Sequence, residues 1–434
     1  MDEDRVFRID RAGQKRVDAF LSSCRIPPAL EQAIGDYIVK KTGKPPGDLV
    51  ALERLRRAIV AQKDDYWKAP AKRKLAYVKG YSVLAYLAYH FPVYFMQTGY
   101  LMRDLAAAGL LFKDMKVLDV GTGPGVVPLA IADFCARAGG PSADIFSIER
   151  SEENIEAFRF LAGVLVPETG AVTVRPPLHA DLRTADLKKI PGTIDLLVFS
   201  NVINELENDG IAAQAGLVMR YASRVAPEGT ILLIEPAEEV TATRLRSVST
   251  ALAERGLAIH SPCSFLYGTR CDPSRCWSFA TQPEIYPTRL MERLAGGSDP
   301  YRYINTDIKY AYVILRKDSR VQHRFSIPPG AKAARLSKLH LHTERRINAI
   351  AAKMSADLGD ARTHVYKLCD GTAAKPVYAV LPGYHMNRAN EDLVRAPYGA
   401  ILDLRQVVVR YNRRHDAYNL LISRSSKVRE IQYR

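Results

Sequence analysis

No apolar run in this 434-residue chain is long enough to cross a bilayer. The longest, from Val83 to Met96, falls short of the ~20 residues a spanning helix needs and contains His90 and Pro92. It reads as a buried helix ending at Phe91. The first residues, Met1-Asp2-Glu3-Asp4-Arg5, are acidic and lack an apolar core, which argues against a secretory signal or a transit peptide. A cytoplasmic, prokaryotic setting is the simplest expectation. There is no internal repeat and no low-complexity tract, and nothing in the composition points to disorder. The length suffices for about two or three domains around a large core.

Acidic residues are also in short supply, with 47 Asp and Glu against 62 Lys and Arg, and the imbalance is uneven. Residues 320–434 hold 21 basic against 9 acidic side chains, and residues 1–74 hold 17 against 11. The stretch between them is close to neutral, at 24 against 27. Basic flanks around a neutral middle suggest that the flanks grip a polyanion; a solvated charged face is the plainer alternative.

What the chain does have is a strand running into a glycine-rich turn, Met115-Lys116-Val117-Leu118-Asp119-Val120-Gly121-Thr122-Gly123-Pro124-Gly125. Glycines there let backbone N–H groups and a helix N-terminus approach a ligand closely. The next strand ends at Glu149, where a carboxylate can accept from both ribose hydroxyls of an adenosine cofactor. Two features favour S-adenosylmethionine over a dinucleotide. The spacing is Asp-x-Gly-x-Gly-x-Gly, and the following unit closes on Asp181, which is placed to accept the adenine amino group. A further strand, Ile194 to Ser200, delivers Asn201 to the carboxyl edge of the sheet, followed by Asn204 and Glu205 as acceptor-side candidates. The order and spacing are those of the class I S-adenosylmethionine-dependent methyltransferase fold, a Rossmann-like α/β sheet. The cofactor set is Asp119, Gly121, Thr122, Gly123, Gly125, Glu149, Asp181 and Asn201. The alternative is a doubly wound domain that keeps the turn for packing alone.

Of six cysteines, Cys24 and Cys135 fall in helical segments and read as small buried apolar residues. Cys263, Cys271 and Cys276 crowd a loop rich in Pro, Gly and Ser. In a reducing compartment such a cluster is more often a metal site than a disulfide framework, and both iron–sulfur clusters and zinc prefer four ligands. Cys369, ending a strand-like run before Asp370-Gly371, is the first candidate for the fourth; His260 and His364 are the alternatives. A metal held this way would staple the C-terminal module to the core.

The expected organisation is an N-terminal helical region over 1–74, a methyltransferase-like core over 75–318 with the cysteine loop inserted at 260–280, and a basic module over 319–434. A second helical stretch runs from Lys74 to about Leu110. In the module, a basic helix over 339–358 precedes strand-like runs near 364–368, 376–381, 406–410 and 417–422. Short strands rich in aromatics and arginines suggest a five-stranded barrel of the oligonucleotide-binding type.

The chain resembles the methyltransferase-like small-ribosomal-subunit assembly factors of mitochondria and prokaryotes. The match lies in Ala85 to Pro92, Leu118 to Gly125, Val202-Ile203-Asn204-Glu205-Leu206, Leu233-Ile234-Glu235-Pro236, Ser261-Pro262-Cys263 and Asp307 to Lys317, with a weaker match around Cys369. That resemblance implies a protein of the small subunit or its rRNA, monomeric off the ribosome, without membrane partners. It further implies a [4Fe–4S] cluster on Cys263, Cys271, Cys276 and Cys369, with zinc as the alternative metal. Departures are visible. Family members commonly place Pro-His after the first cysteine and Trp-Cys-His-Phe near the third, where this chain reads Cys263-Ser264-Phe265 and Cys276-Trp277-Ser278-Phe279.

Two functions compete. One is an RNA-directed methyltransferase, whose reaction depends largely on positioning and needs no dedicated nucleophile. No cysteine occupies the usual nucleophile position just after the Ile194 to Ser200 strand, which counts against carbon-5 pyrimidine chemistry, and Ser200-Asn201-Val202-Ile203 lacks the Asn/Asp-Pro-Pro-aromatic signature of amino-group methylation. The other is an assembly factor that uses the same fold as a docking platform. Retention of Asp119, the glycines, Glu149 and Asp181 favours a small-subunit RNA-binding protein that binds S-adenosylmethionine, and leaves methyl transfer open.

Overall fold

The computed structural model describes residues 3–67, 80–167, 170–268, 271–296 and 299–431. Contacts divide the chain into two compact units, Met1–Ile234 with Gln282–Ile308, and Glu235–Thr281 with Lys309–Arg434.

The first unit opens on α1 (Arg11–Ser22), α2 (Pro28–Thr42) and α3 (Leu49–Trp67). Asp10 caps α1 by accepting the Gly13 N–H at 2.6 Å, and α2 runs from Pro28 to a left-handed Gly43 just beyond its end. Cys24 lies past the end of α1 with φ +53° and is half-buried, rather than sitting buried inside a helix. The apolar run over 83–96 forms two helices, α4 (Tyr81–Tyr89) and α5 (Phe91–Ala107), not one ending at Phe91. Pro92 is the reason: it cannot donate within a helix interior but fits a first turn, so the helix restarts after His90. The expected start of this stretch at Lys74 lies outside the described residues.

Then follow β1 (Asp114–Val120), α6 (Val126–Ala138), β2 (Ser142–Glu149), α7 (Glu152–Leu165), β3 (Val172–Val174), β4 (Leu178–His179), β5 (Ile194–Ser200), α8 (Gly210–Ala222) and β6 (Val225–Pro236). Every pairing is parallel, in the order β3-β2-β1-β5-β6, with β4 beside β2. Strand β5 is buried almost throughout and β1 from Val117 to Val120, as expected for parallel strands covered on both faces. The chain leaves β1 to one side for β2 and β3, then crosses to the other for β5 and β6. This reversal opens a crevice at the carboxyl ends of β1, β2 and β5.

In the second unit α9 (Glu239–Glu254) leads to β7 (Ala258–Ser261), which pairs antiparallel with β9 (Ile308–Arg316); β8 (Ala280–Gln282) also pairs with β9. The remainder is a barrel of β10 (Arg346–Lys353), β11 (Thr363–Cys369), β12 (Val377–Pro382), β13 (Ile401–Asn412) and β14 (Ala417–Leu421), with β15 (Lys427–Glu430) along β13. The ring closes as β10-β11-β12-β14-β13-β10, and only β12 and β14 run parallel. This is the oligonucleotide-binding topology anticipated for the module. Alternate residues, among them Ala349, Ala351, Leu368, Ala379, Leu402 and Leu404, fill its core.

The basic helix expected over 339–358 does not exist; a 3-10 segment, Leu336–His342, is followed by strand β10. The alternation there is masked because both faces are covered. Ala349 and Ala351 point into the barrel, while Ile350 packs outside it against Leu266, Ile327 and Ile401. Among the described residues no helix is long and apolar enough to cross a membrane.

Candidate functional site

A pocket opens in the first unit at the crevice described above. Gly121, Gly123 and Gly125 all take positive φ (+75°, +56° and +90°), but for different reasons. A Cβ on Gly121 would stand 2.7 Å from Val202, and one on Gly125 would stand 2.3 Å from the Phe158 ring. At Gly123 it would meet no protein atom within 4 Å and would occupy pocket space instead. Two of the glycines therefore serve packing, and one keeps room for a ligand.

Two carboxylates flank the turn. Glu149 is buried; one of its oxygens accepts the Gly123 N–H at 2.8 Å, and the other accepts the Arg150 and Ser151 N–H groups at 3.0 and 2.8 Å. Asp119 is 1% exposed, and neither of its oxygens meets a protein donor in hydrogen-bonding geometry. Burial pushes its pKa up to about 7; the nearby Thr122 hydroxyl pulls it back and the Glu149 charge adds to the rise. An unpartnered buried carboxyl group is costly, and a ligand carrying N–H donors or positive charge would relieve it.

Pairing of β4 with β2 sets His179 opposite Glu149, which brings Asp181 to the pocket rim. The Asp181 carboxylate accepts the Arg183 N–H at 2.8 Å. Asn201, at φ +56°, follows β5 and is anchored by its N–H to the Ile234 carbonyl at 2.8 Å. Asn204 is buried on the 3-10 segment Ile203–Asp209, and Glu205 lies on the pocket wall, 3.9 Å from Arg150. The sequence-expected residues thus converge, apart from Gly125, which lies beneath the turn against Phe158, and Asn204, which does not line the pocket.

Sequence reasoning missed an aromatic wall. Tyr86 of α4 and Tyr94 of α5 line the same pocket with ring centroids 6.2 Å apart, and His90 stacks on Tyr94 at 5.7 Å. Burial, then Tyr94, Glu205, Asp119 and Glu149, hold the Tyr86 phenol well above its usual range. The available signal was the polar-tipped Tyr86, His90 and Tyr94 at four-residue spacing inside an otherwise apolar run.

The cysteine loop lies wholly in the second unit. Cys263, Cys271, Cys276 and Cys369 are all unpaired and neither exposed nor fully buried. They sense one another: burial, then Cys276 and Cys271, raise the Cys369 thiol well above its usual range, with a smaller contribution from Cys263. Burial pushes Cys263 up to about 12, with Arg246 drawing it back down and Cys276 and Cys271 adding to the rise. Among the described residues, however, no three His, Cys, Asp or Glu side chains are gathered tightly enough to hold an ion. The alternatives for a fourth ligand are engaged elsewhere: His260 Nδ1 lies 3.2 Å from the Arg320 carbonyl, and His364 pairs with Asp357 at 2.6 Å.

Beside the cysteines stands a buried cation. Arg246, 2% exposed on α9, donates to the carbonyls of Tyr312 at 2.7 Å and Ser278 at 3.2 Å, and to the Tyr398 hydroxyl at 3.2 Å. Its Nε has no partner. Tyr398, Cys263, Cys276 and Tyr312 are the neighbours whose ionised forms would favour its charge, and among the described residues its hydrogen-bond acceptors are carbonyl and hydroxyl oxygens, not carboxylates. An uncompensated buried charge costs several kcal/mol, so the surroundings fit an anionic metal–thiolate centre better than four neutral thiols. The signal for Arg246 was a charge on the apolar stripe of α9, in helical step with Ala242 and Ser249. Trp277, next to Cys276, donates its indole N–H to the Ala237 carbonyl at 2.7 Å and is 40% exposed.

A parallel sheet that reverses at β1, with a glycine turn and an acidic strand end beneath it, decides the architecture. The fold is that of a class I S-adenosylmethionine-dependent methyltransferase. Residues 337–431 match a family model described as "Domain of unknown function (DUF8157) C-terminal domain". No curated protein sequence matches the chain. Among solved structures, this methyltransferase-like chain is similar to the ribosomal protein L11 methylase of Lactobacillus delbrueckii subsp. bulgaricus, with 21% identity over 38% of this chain and 71% of that one, TM-score 0.27. It is also similar to TrmN from Thermus thermophilus, with 16% identity over 53% of each chain, TM-score 0.31. A third is Aeropyrum pernix fibrillarin with natively bound S-adenosyl-L-methionine, with 13% identity over 46% of this chain and 66% of that one, TM-score 0.26.

Proposed function

We propose that this protein binds S-adenosylmethionine in the first unit and small-subunit rRNA through its basic barrel, acting in ribosome assembly or translation. We propose too that Cys263, Cys271, Cys276 and Cys369 hold a [4Fe–4S] cluster. The observation that carries the reading is the open space above Gly123, between a buried Asp119 without a partner and the carboxylate of Glu149. Asp119, Gly121, Thr122, Gly123, Glu149 and Asp181 would hold the cofactor, which when bound supplies an electrophilic methyl group on a sulfonium. Asn201 and Glu205 border the space left for an acceptor, with Asn204 behind them; none has to act as a nucleophile. For the cluster, the donor set is four sulfurs, and Arg246 supplies a matching positive charge.

The test is iron, acid-labile sulfide and zinc content of protein purified without oxygen, with calorimetric titration of S-adenosylhomocysteine on the same sample. Near-stoichiometric iron and sulfide together with cofactor binding would support the reading. Zinc without sulfide favours an active S-adenosylmethionine-dependent RNA methyltransferase with a structural zinc site. Absence of both metals removes the cluster from the proposal.

Asp119 makes cofactor binding pH-dependent. In the free protein its carboxyl is raised from 3.8 to about 7, so this group on its own costs stability as pH rises between those values. A cationic or N–H-bearing ligand favours the ionised form, so affinity should rise by roughly tenfold between pH 6 and pH 8. Titrations in Asp119→Asn should be weaker and flat over that range. A wild-type profile equally flat would remove Asp119 from the binding set.

The turn between β13 and β14 carries Arg413 and Arg414, both exposed, and Arg410 precedes them. Neutralising all three is expected to weaken RNA binding by about tenfold and to flatten its salt dependence, because each phosphate contact releases counterions. Unchanged affinity and slope would exclude this turn from the grip.

A further inference from the structure

In oligonucleotide-binding barrels the ligand lies on the outer face of the second and third strands. Here those strands are β11 and β12, and other segments of the second unit occupy part of that face. Lys367 of β11 donates to the Trp277 carbonyl at 2.5 Å, and Cys369 lies among the loop cysteines. On β12, Tyr378 is close enough to Glu239 of α9 for that charge to raise its phenol. These contacts take up part of that surface, whose outward side chains Lys367, Cys369 and Tyr378 are half-buried.

The outer face of β13 starts covered and then opens. Ile401 packs with Ile350 beneath Leu266 and Ile327. Farther along, Leu404, Val407, Val409 and Val428 point into the core, which turns their neighbours outward. The register sets Asp403 opposite Arg429 and Arg405 opposite Lys427. Like charges directly opposite each other are destabilising unless something neutralises them. Arg405 pairs with Asp403 at 2.7 Å and Arg410 reaches Glu344 at 3.6 Å, while among the described residues Lys427 and Arg429 make no ion pair. Arg346 of β10, opposite Val408, extends the row and is exposed. Five cations thus share one face with two acids.

We infer that this β10–β13–β15 face, and not the β11–β12 face, is where the barrel takes an RNA phosphodiester chain. No large exposed apolar side chain lies on β13 or β15, which a membrane-binding surface would need. The inference rests on the RNA-binding reading above and locates its surface. The plainer account is that Lys427 and Arg429 guard an edge strand against self-association.

The experiment is fluorescence anisotropy of the full chain with a fluorescein-labelled, mixed-sequence single-stranded RNA over a range of salt. The triple variant Arg405→Gln, Lys427→Gln, Arg429→Gln is expected to bind at least about tenfold more weakly, with a log affinity against log salt slope shallower by about two. Asp403→Asn, which removes an acid from the same face, is expected to bind more tightly, a gain that misfolding cannot produce. The exposed trio Arg8→Gln, Arg11→Gln, Lys15→Gln carries the same charge change in the first unit and should lose less than about twofold. If wild-type protein binds no RNA, the RNA reading falls and this inference with it. If wild-type protein binds but the β13–β15 triple binds equally well, or merely self-associates, the surface is wrong and the reading stands. Equal losses in the two triples would reduce the effect to net charge and overturn the inference.

Discussion

Cys369→Ser, purified without oxygen, is expected to lose its bound metal to background and to be cut faster by trypsin after the exposed Arg275 of the cysteine loop. Metal-binding energy is folding energy when ligands come from separate segments, and Cys369 is the one cysteine of the proposed four outside the loop. The barrel itself should survive, since its apolar core does not depend on the cysteines. Nor should the loop detach completely. Leu266 remains packed with Ile327, Ile350 and Ile401, and burying a side chain of that size contributes about 1.5–3 kcal/mol. Metal content and cleavage rate both equal to wild type would exclude Cys369 as a ligand. Arg246→Met separates an electrostatic role from a structural one. In metal-loaded protein the substitution removes the counter-charge and should lower Tm; in metal-free protein it removes an uncompensated buried charge, so the loss should shrink or reverse. Equal losses in both forms would assign Arg246 to its hydrogen bonds with Tyr312, Ser278 and Tyr398.

Gly125→Ala and Gly123→Ala should fail in opposite ways. At Gly125 the new methyl group would stand 2.3 Å from the Phe158 ring at φ +90°, so overpacking and backbone strain act together. Their sum is roughly 3–5 kcal/mol, a large share of a typical domain's stability, and corresponds to a Tm lower by roughly 10 °C. At Gly123 only the left-handed backbone is penalised, about 1 kcal/mol, because nothing lies within 4 Å of the added carbon. Its Tm should therefore fall by a few degrees at most, while affinity for S-adenosylhomocysteine drops by more than tenfold. Calorimetry of both variants, thermal and by titration, checks the pair. Unimpaired cofactor binding by Gly123→Ala would remove the observation on which the cofactor assignment rests.

The parts of this structure legible in advance are those where one local signal has one cause. Strand β5 carries the apolar run Leu196 to Phe199 because it is buried on both faces, and its bounds, Ile194–Ser200, are those expected. The glycine turn is legible because positive φ and close approach both demand glycine. Strand β10 was lost because Ile350, which faces outward, is buried by a segment some eighty residues earlier in the chain, which erases the alternation a half-buried strand would show. The break at His90 was available from Pro92 but was outweighed by the length of the apolar run. Asp119, Glu149 and Asp181 could be assembled from sequence because each ends or follows a strand at one sheet edge. Tyr86, Tyr94 and Arg246 could not, since only tertiary packing carries a helix face to those sites.

Trp277 turns the cysteine loop into its own optical reporter. The chain has two tryptophans, Trp67 and Trp277, so a Trp67→Phe background leaves one emitter, tethered by its indole N–H to Ala237 and adjacent in sequence to Cys276. An iron–sulfur chromophore ligated by Cys276 would quench its emission, a zinc ion would not, and loss of metal from the intact chain could then be followed in real time by light alone.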